Sequence, residues 1–226
     1  MSEYIYCSGP MFSPEELNTM ATIATTLETA GYKTYLPQRD GIEVAKVMAM
    51  INTPIISGEI FRDIMIFVQK AVFAMDVYQV VERCNATVFN MNGRPADDGS
   101  ISETGISFAT GKPIVIYKND PRTEFNGLDN PLLTGLSYNW KYVTDISQIP
   151  TKLAEIIGTV NAAGENPYLK NPPPMVKKTM EVGKEVWEIL NIIRFFDHKE
   201  KDLLAILKVL VEKLKASASF MKFLEG

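Results

Sequence analysis

Short apolar runs alternate with longer stretches of helical periodicity along the first 160 residues, and this alternation leaves few folds open. Tyr4-Ile5-Tyr6-Cys7-Ser8 reads as a strand closed by Gly9-Pro10. Pro14 to Ala30 reads as a helix, with Ser13 at its N-cap and Gly31 just past its end. Lys33 to Leu36 predicts a second strand, followed by the turn-rich loop Pro37-Gln38-Arg39-Asp40-Gly41, a small helix over Ile42–Met50 and a link containing Pro54. Gly58 to Cys84 reads as one long, mostly apolar helix or two abutting ones. Ala86–Met91 is a third strand, Ile106–Thr110 a short helix ending at Gly111, and Pro113–Tyr117 a fourth strand. After a long loop through Asn130, Trp140–Val143 predicts a last strand and Ile146–Val160 a last helix. Parallel neighbours need a crossover, so this order predicts a parallel sheet with helices on both faces. The expected class is α/β, Rossmann-like or flavodoxin-like.

A chain of 226 residues holds one such domain, of about 150–160 residues, plus an appendage. The domain is expected over 1–160. Asn161 to Pro174, with Gly164, Pro167 and Pro172-Pro173-Pro174, reads as a linker over 161–174. Met175–Phe196 and Lys201–Phe220 then predict a C-terminal helical extension, 175–226, arranged as a hairpin. Its amphipathic faces require a surface, either the core or another subunit.

Composition removes several function classes. With 46% hydrophobic and 22% charged residues the chain is globular, and a net charge of −4 without a basic cluster argues against nucleic acid. Charges break the apolar stretches well short of the roughly 18 residues of a membrane span, so no membrane partner is expected. The N-terminus enters a strand without a basic-then-apolar leader. Cys7 and Cys84 lack metal-ligand or redox spacing, and a reduced, cytoplasmic protein is the simplest reading. His198, the only histidine, sits in Phe196-Asp197-His198-Lys199-Glu200 and reads as a surface turn residue. A histidine-rich zinc site is impossible, and chemistry in this chain is expected to be carboxylate chemistry.

The richest segment is Gly93-Arg94-Pro95-Ala96-Asp97-Asp98-Gly99-Ser100-Ile101-Ser102-Glu103-Thr104-Gly105, which gathers three carboxylates where a strand hands over to a helix. On one reading it is structural: Ser100-Ile101-Ser102-Glu103 fits a capping box, and Asp97 and Asp98 are turn residues favoured by the helix dipole. On the other it is a site, because ligands bind beyond the carboxyl ends of strands in open α/β sheets. Tyr6, the Pro37–Gly41 loop, Asp97 to Glu103 and the loop from Lys118 all open onto that edge. Asp76 interrupts the apolar run Ala71 to Val81. It is either on a solvent stripe with Lys70 and Arg83, or a buried carboxylate with a raised pKa.

Taken in order over roughly residues 4–160, these segments resemble the nucleoside 2-deoxyribosyltransferases and their relatives, the nucleotide N-glycosidases. The resemblance lies in Tyr4 to Phe12, Met75-Asp76-Val77, Gly93 to Ser100, Glu103-Thr104-Gly105 and Gly111-Lys112-Pro113. It implies that Glu103 is the nucleophile on the anomeric carbon, that Tyr6 orients its carboxylate, and that Asp76 handles the proton of the nucleobase. Glu103 is placed in the first turn of a helix, which favours the ionised form. Asp97 would hold the sugar 5′-hydroxyl, with Gly9, Gly99 and Ser100 lining the substrate and Gln38 or Asp40 touching the base. Asn130 resembles an asparagine that reaches into a neighbouring subunit's site, which implies a homo-oligomer. The substrates implied are deoxynucleosides and free nucleobases, with no metal and no organic cofactor. Cleavage passes through an oxocarbenium-like state trapped by the carboxylate, so exchange is ping-pong with retention. Two rivals remain. One is a 5′-monophosphate N-glycosidase, whose kin place serine where Asp97 stands and for which Ser8 and Ser100 speak. The other is a non-catalytic nucleotide-binding module. Gly41–Gly58 does not align with the family, and Met175–Gly226 is additional to it.

Overall fold

A computed structural model describes residues 3–42, 44, 47–48, 58–137, 140–164, 171–193 and 203–225. The turn predicted at His198 lies outside the described residues, as do most of the small helix predicted over Ile42–Met50 and the middle of the linker. By their contacts the residues form two compact units, Met1–Gln38 with Gln79–Pro172, and Arg39–Tyr78 with Pro173–Gly226. These units cut the chain differently from the sequence boundaries at 160 and 175.

The first unit is built on four strands: β1 (Tyr4–Ser8), β2 (Lys33–Tyr35), β3 (Ala86–Asn90) and β4 (Ile114–Tyr117). All pairings are parallel, in the order β2-β1-β3-β4. This is the doubly wound order, with its switch point between β1 and β3. The register sets Tyr6 beside Tyr35 and Thr87, and Ser8 beside Phe89. The expected last strand at Trp140–Val143 shrinks to one bridge between Tyr117 and Val143. Trp140 has φ of 58°, a left-handed conformation that an extended strand cannot carry.

Alternate strand positions face opposite layers. Ile5 and Cys7 pack with Val88 and Val115 against α1 (Pro14–Thr29) and a later helix, Ile149–Ala162. The start of α1 is legible in sequence: Ser13 and Glu16 form a full capping box. The Pro37–Gly41 stretch, expected to be a loop, instead makes a helical turn, α2 (Pro37–Asp40), because proline at the first position is preorganised for one. The predicted helix at Gly58–Cys84 is α3 (Gly58–Tyr78) followed by a π-helical turn at Gln79–Arg83.

In the second unit, α3 is the centre. Phe67, Ala71, Ala74 and Met75 share a core with Val182, Val186 and Leu190 of the helix Pro174–Ile192, and with Leu207, Leu210 and Leu214 of Leu203–Ala216. The second predicted extension helix is broken at Ser217, whose hydroxyl accepts from the Phe220 amide and caps a final helix, Ala218–Glu225. Phe220 stacks on Phe67, with ring centroids 5.8 Å apart. Ile64–Arg83 is, contrary to the sequence expectation, long and apolar enough to cross a membrane by length and composition. Its side chains are used in the protein interior, since 61% of that stretch is buried.

Gly183 marks the closest approach of the Pro174–Ile192 helix to α3. A Cβ there would stand 1.9 Å from the Ala74 carbonyl oxygen and 2.7 Å from the Tyr78 Cβ. Backbone cannot yield as a side chain does, so Gly183→Ala is expected to destabilise the protein by about 2 kcal/mol or more. Urea unfolding should show a lower midpoint; an unchanged midpoint would contradict this helix packing.

Candidate active site

The turn after β3 leads into α4 (Asp98–Ala109), and the N-cap of that helix is Asp97, not Ser100. Asp97 Oδ2 accepts from the Ser100 amide at 2.7 Å and from the Ser100 hydroxyl at 2.5 Å. The capping box expected at Ser100 and Glu103 therefore does not form. The helix is also longer than the predicted Ile106–Thr110. Its buried face is the stripe Ser100, Thr104 and Ser107, small hydroxyl residues at helical spacing that lie against the sheet. Their polar atoms are satisfied locally: Thr104 donates to the Ser100 carbonyl at 2.7 Å, and Thr87 of β3 donates to Ser107 at 2.8 Å.

Glu103 lies on this helix, one position before Thr104. Its carboxylate is gripped at both oxygens by side chains of β1. Tyr6 donates its hydroxyl to Oε1 at 2.9 Å, and Ser8 donates to Oε2 at 2.6 Å. Tyr6 and Ser8 are two residues apart on one strand, so their side chains emerge on the same face. Both are fully buried, whereas Glu103 keeps part of its surface open. Tyr35 of β2 braces the Tyr6 ring, with centroids 5.3 Å apart.

Glu103 is pushed up to about 7, chiefly because the surrounding protein strips water from the carboxylate; hydrogen bonds from Ser8 and Tyr6 oppose the rise, and the charge of Asp97 adds to it. This corrects the expectation that the helix N-terminus keeps Glu103 ionised. Asp98 is the first helical residue, so Glu103 falls in the second turn, where the dipole has faded. Near neutrality this carboxyl is divided between its two protonation states.

The remaining residues singled out in sequence are placed as follows. Asp97 Oδ1 has no hydrogen-bond partner among the described residues, while Oδ2 holds the helix. Gly99 and Ser100 form the first turn of α4. Gly9 serves packing, since a Cβ there would run into Met20 Sδ at 2.3 Å and Asn90 Cβ at 2.8 Å. Gln38 donates to the Leu17 carbonyl at 2.9 Å, and its buried Oε1 has no hydrogen-bond partner among the described residues. Asn130 caps its own short helix, Pro131–Thr134, by accepting from the Leu132 amide at 3.0 Å. Asp40, paired with Arg39 at 2.9 Å, and Asp76, half-buried on α3, belong to the second unit. The sequence lets Ser8 speak for a monophosphate substrate, whereas in the structure its hydroxyl donates to Glu103. The period-2 relation to Tyr6 is the sequence signal of their shared face, though not of the partner.

At the carboxyl ends of β1, β3 and β4, a cavity of about 370 Å³ opens, lined in part by Pro10, Glu16, Asn92, Gly93, Asp120 and Arg122. Arg122 is held there by Asp120, whose carboxyl it keeps far below the usual range. Among the described residues no cluster of histidine, cysteine and carboxylates suited to a metal ion occurs.

The family described as nucleoside 2-deoxyribosyltransferase matches residues 5–145. A conserved protein from Enterococcus faecalis V583 is 18% identical, with a TM-score of 0.49, over 69% of this chain and 99% of its own. The 2-deoxyribosyltransferase of the psychrotolerant bacterium Bacillus psychrosaccharolyticus is 19% identical, with a TM-score of 0.43, over 65% of this chain and 90% of its own. No curated protein matches.

The raised pKa of Glu103 has a consequence for stability. Its folded value, about 7, exceeds the ordinary 4.5, so the folded state binds the proton more tightly. Stability is then fully present below the ordinary value and is lost as pH rises through about 7. Glu103→Gln carries no such penalty. Its stability relative to wild type is expected to improve by about 2 kcal/mol between pH 5 and pH 8, allowing for residual solvent contact. Thermal melts at both pH values check this, and a constant difference would mean that Glu103 is not desolvated.

Proposed function

The chain belongs to the nucleoside 2-deoxyribosyltransferase family, and on that premise we propose that it exchanges the nucleobase of a 2′-deoxynucleoside through a covalent deoxyribosyl ester of Glu103. The observation that carries the reading is the half-open Glu103 carboxylate held by Tyr6 and Ser8. In the first half-reaction a Glu103 oxygen forms a bond to the anomeric carbon as the glycosidic C–N bond breaks. The bonding electrons leave with the base, which takes a proton from Asp76. In the second, a different base attacks the same carbon, the Glu103–carbon bond breaks, and the proton returns to Asp76. Two inversions give retention. Asp97 would accept from the 5′-hydroxyl through Oδ1, leaving Oδ2 to hold the helix. A homo-oligomer in the cytoplasm, with Asn130 contributing to a neighbour's site, completes the proposal.

The rival hydrolase would use water in the second step and a 5′-monophosphate as substrate. It is the weaker reading here. Ser8 and Ser100, the serines that favoured it, spend their hydroxyl protons on Glu103 and Asp97, and the Asp97 charge opposes a phosphate dianion.

Chromatography of deoxyinosine incubated with the protein, with and without adenine, tests the proposal. Deoxyadenosine is expected only when adenine is present; free base and sugar released from deoxynucleoside monophosphates alone would establish the hydrolase instead. Glu103→Ala should abolish exchange, a loss of at least about 1,000-fold, in a protein that still melts cooperatively. Wild-type turnover in that variant would remove Glu103 from the mechanism. Asp97→Asn keeps an N-cap but removes the charge that raises the Glu103 pKa, so the acid limb of kcat/KM should move to lower pH while KM for deoxynucleosides rises.

A further inference from the structure

We propose that Ser8 is a positioning residue for the nucleophile, fixing the carboxylate of Glu103 through Oε2 while Tyr6 fixes it through Oε1. The inference deepens the function proposed above and rests on it. Nothing in the reaction itself requires a second donor on the carboxylate, and one from the same strand face makes the grip two-pointed. With only Tyr6, the carboxylate plane would be free to turn about a single hydrogen bond. With both, each oxygen has a fixed place relative to β1, and β1 is itself held between β2 and β3. The Ser8 hydroxyl is fully buried and has no alternative in water.

Ser8 also serves both protonation states of its partner. Its oxygen lies 2.6 Å from Glu103 Oε2 and 3.2 Å from the Ser100 carbonyl oxygen. A hydroxyl has one proton to donate and lone pairs to accept with. When Glu103 is ionised, Ser8 donates to it. When Glu103 is protonated, Glu103 donates to the Ser8 oxygen and the serine proton turns to the Ser100 carbonyl. Neither state leaves a buried polar atom unmatched, so the carboxyl can change charge without the site rearranging.

The same bond acts on the chemistry of the second half-reaction. Glu103 then leaves the sugar carbon as a carboxylate, and a donor on Oε2 stabilises the negative charge as it returns. Without Ser8 the ionised carboxylate is less stable, so it is a poorer leaving group and ionises at higher pH. The titratable groups acting on Glu103 are Tyr6 of β1 and Asp97 before α4. Strand β3 carries none, Tyr117 of β4 belongs to the opposite face of the sheet, and in the π-helical turn Arg83 lies over Tyr4 while Glu82 acts on Lys112.

The experiment follows the Glu103 carboxyl directly, by carbon-13 NMR of side-chain-labelled glutamate in the substrate-free protein, with Glu103→Gln identifying the resonance. Ser8→Ala should move its titration midpoint up by about one pH unit or more, and Ser8→Cys, near in size but a weak donor, should move it the same way. Ser8→Thr, which keeps a hydroxyl, should return it toward wild type. In the exchange assay, the acid limb of kcat/KM should shift upward with the midpoint, and at high pH the deoxyribosyl ester should accumulate in mass spectra of the Ala and Cys variants. Folded Ala or Cys variants that titrate as wild type would overturn the proposal; if Ser8→Ala does not fold, the Cys and Thr pair decides. Because the titration needs no turnover, a wild-type protein without exchange activity would refute the proposed function and leave the role of Ser8 on Glu103 separately measured.

Discussion

A carboxylate held against a sheet by two hydroxyls of one strand is the constraint around which the first unit is arranged. Tyr6 and Ser8 must share a face, which fixes the register of β1. That strand must be interior to the sheet, because an edge would let water compete for the same donors. The order β2-β1-β3-β4 supplies this, with β2 bringing Tyr35 against Tyr6 and β3 bringing Thr87 beneath α4. The helix that carries Glu103 must then approach closely, and its buried stripe of Ser100, Thr104 and Ser107 is small enough to permit it. Aliphatic side chains on that stripe would fill the same face but lift the carboxylate away from β1.

Opposed effects set the state of Glu103, and desolvation, helped by the charge of Asp97, outweighs the hydrogen bonds from Ser8 and Tyr6. Desolvation alone would leave a carboxylic acid with little nucleophilicity. Hydrogen bonds alone, of the kind two hydroxyls supply, would leave a stable anion. The site combines partial burial with two donors, and the result lies near 7. The cost appears as stability lost as pH rises through that value.

Much of this arrangement is legible in the sequence. The four strands follow from apolar runs bounded by glycine and proline, and α1 from the Ser13–Glu16 capping box. Glu103 and Tyr6 stand out once the acidic turn is set at the carboxyl edge of the sheet. Other features are hidden for identifiable reasons. Periodicity finds helices by their aliphatic stripe, and α4 buries hydroxyls instead, so its first two turns read as loop. The strand expected at Trp140 fails on a left-handed backbone that no propensity announces. The C-terminal segments are plainly amphipathic, but only tertiary contacts reveal that α3 is what they cover, with Gly183 providing the close approach. The partner of Ser8 is hidden in the sequence, because its relation to Glu103 is set by the approach of α4 to β1, a tertiary contact that the period-2 relation to Tyr6 alone does not specify.

On the proposed function, Asp97 holds structure and selectivity together in one side chain. One oxygen caps α4 and receives both donors of Ser100, so the helix that presents Glu103 depends on it. The other oxygen is the natural acceptor for a neutral hydroxyl and an obstacle to a phosphate. A serine at this position could also cap the helix, but it would bring a donor and no charge. It would thereby welcome the dianion and relieve one of the forces that raise the Glu103 pKa. On the proposed function, substrate charge and nucleophile basicity would be linked through this single residue. A change of substrate class at position 97 would alter the pH range of the chemistry as well as the fit of the ligand.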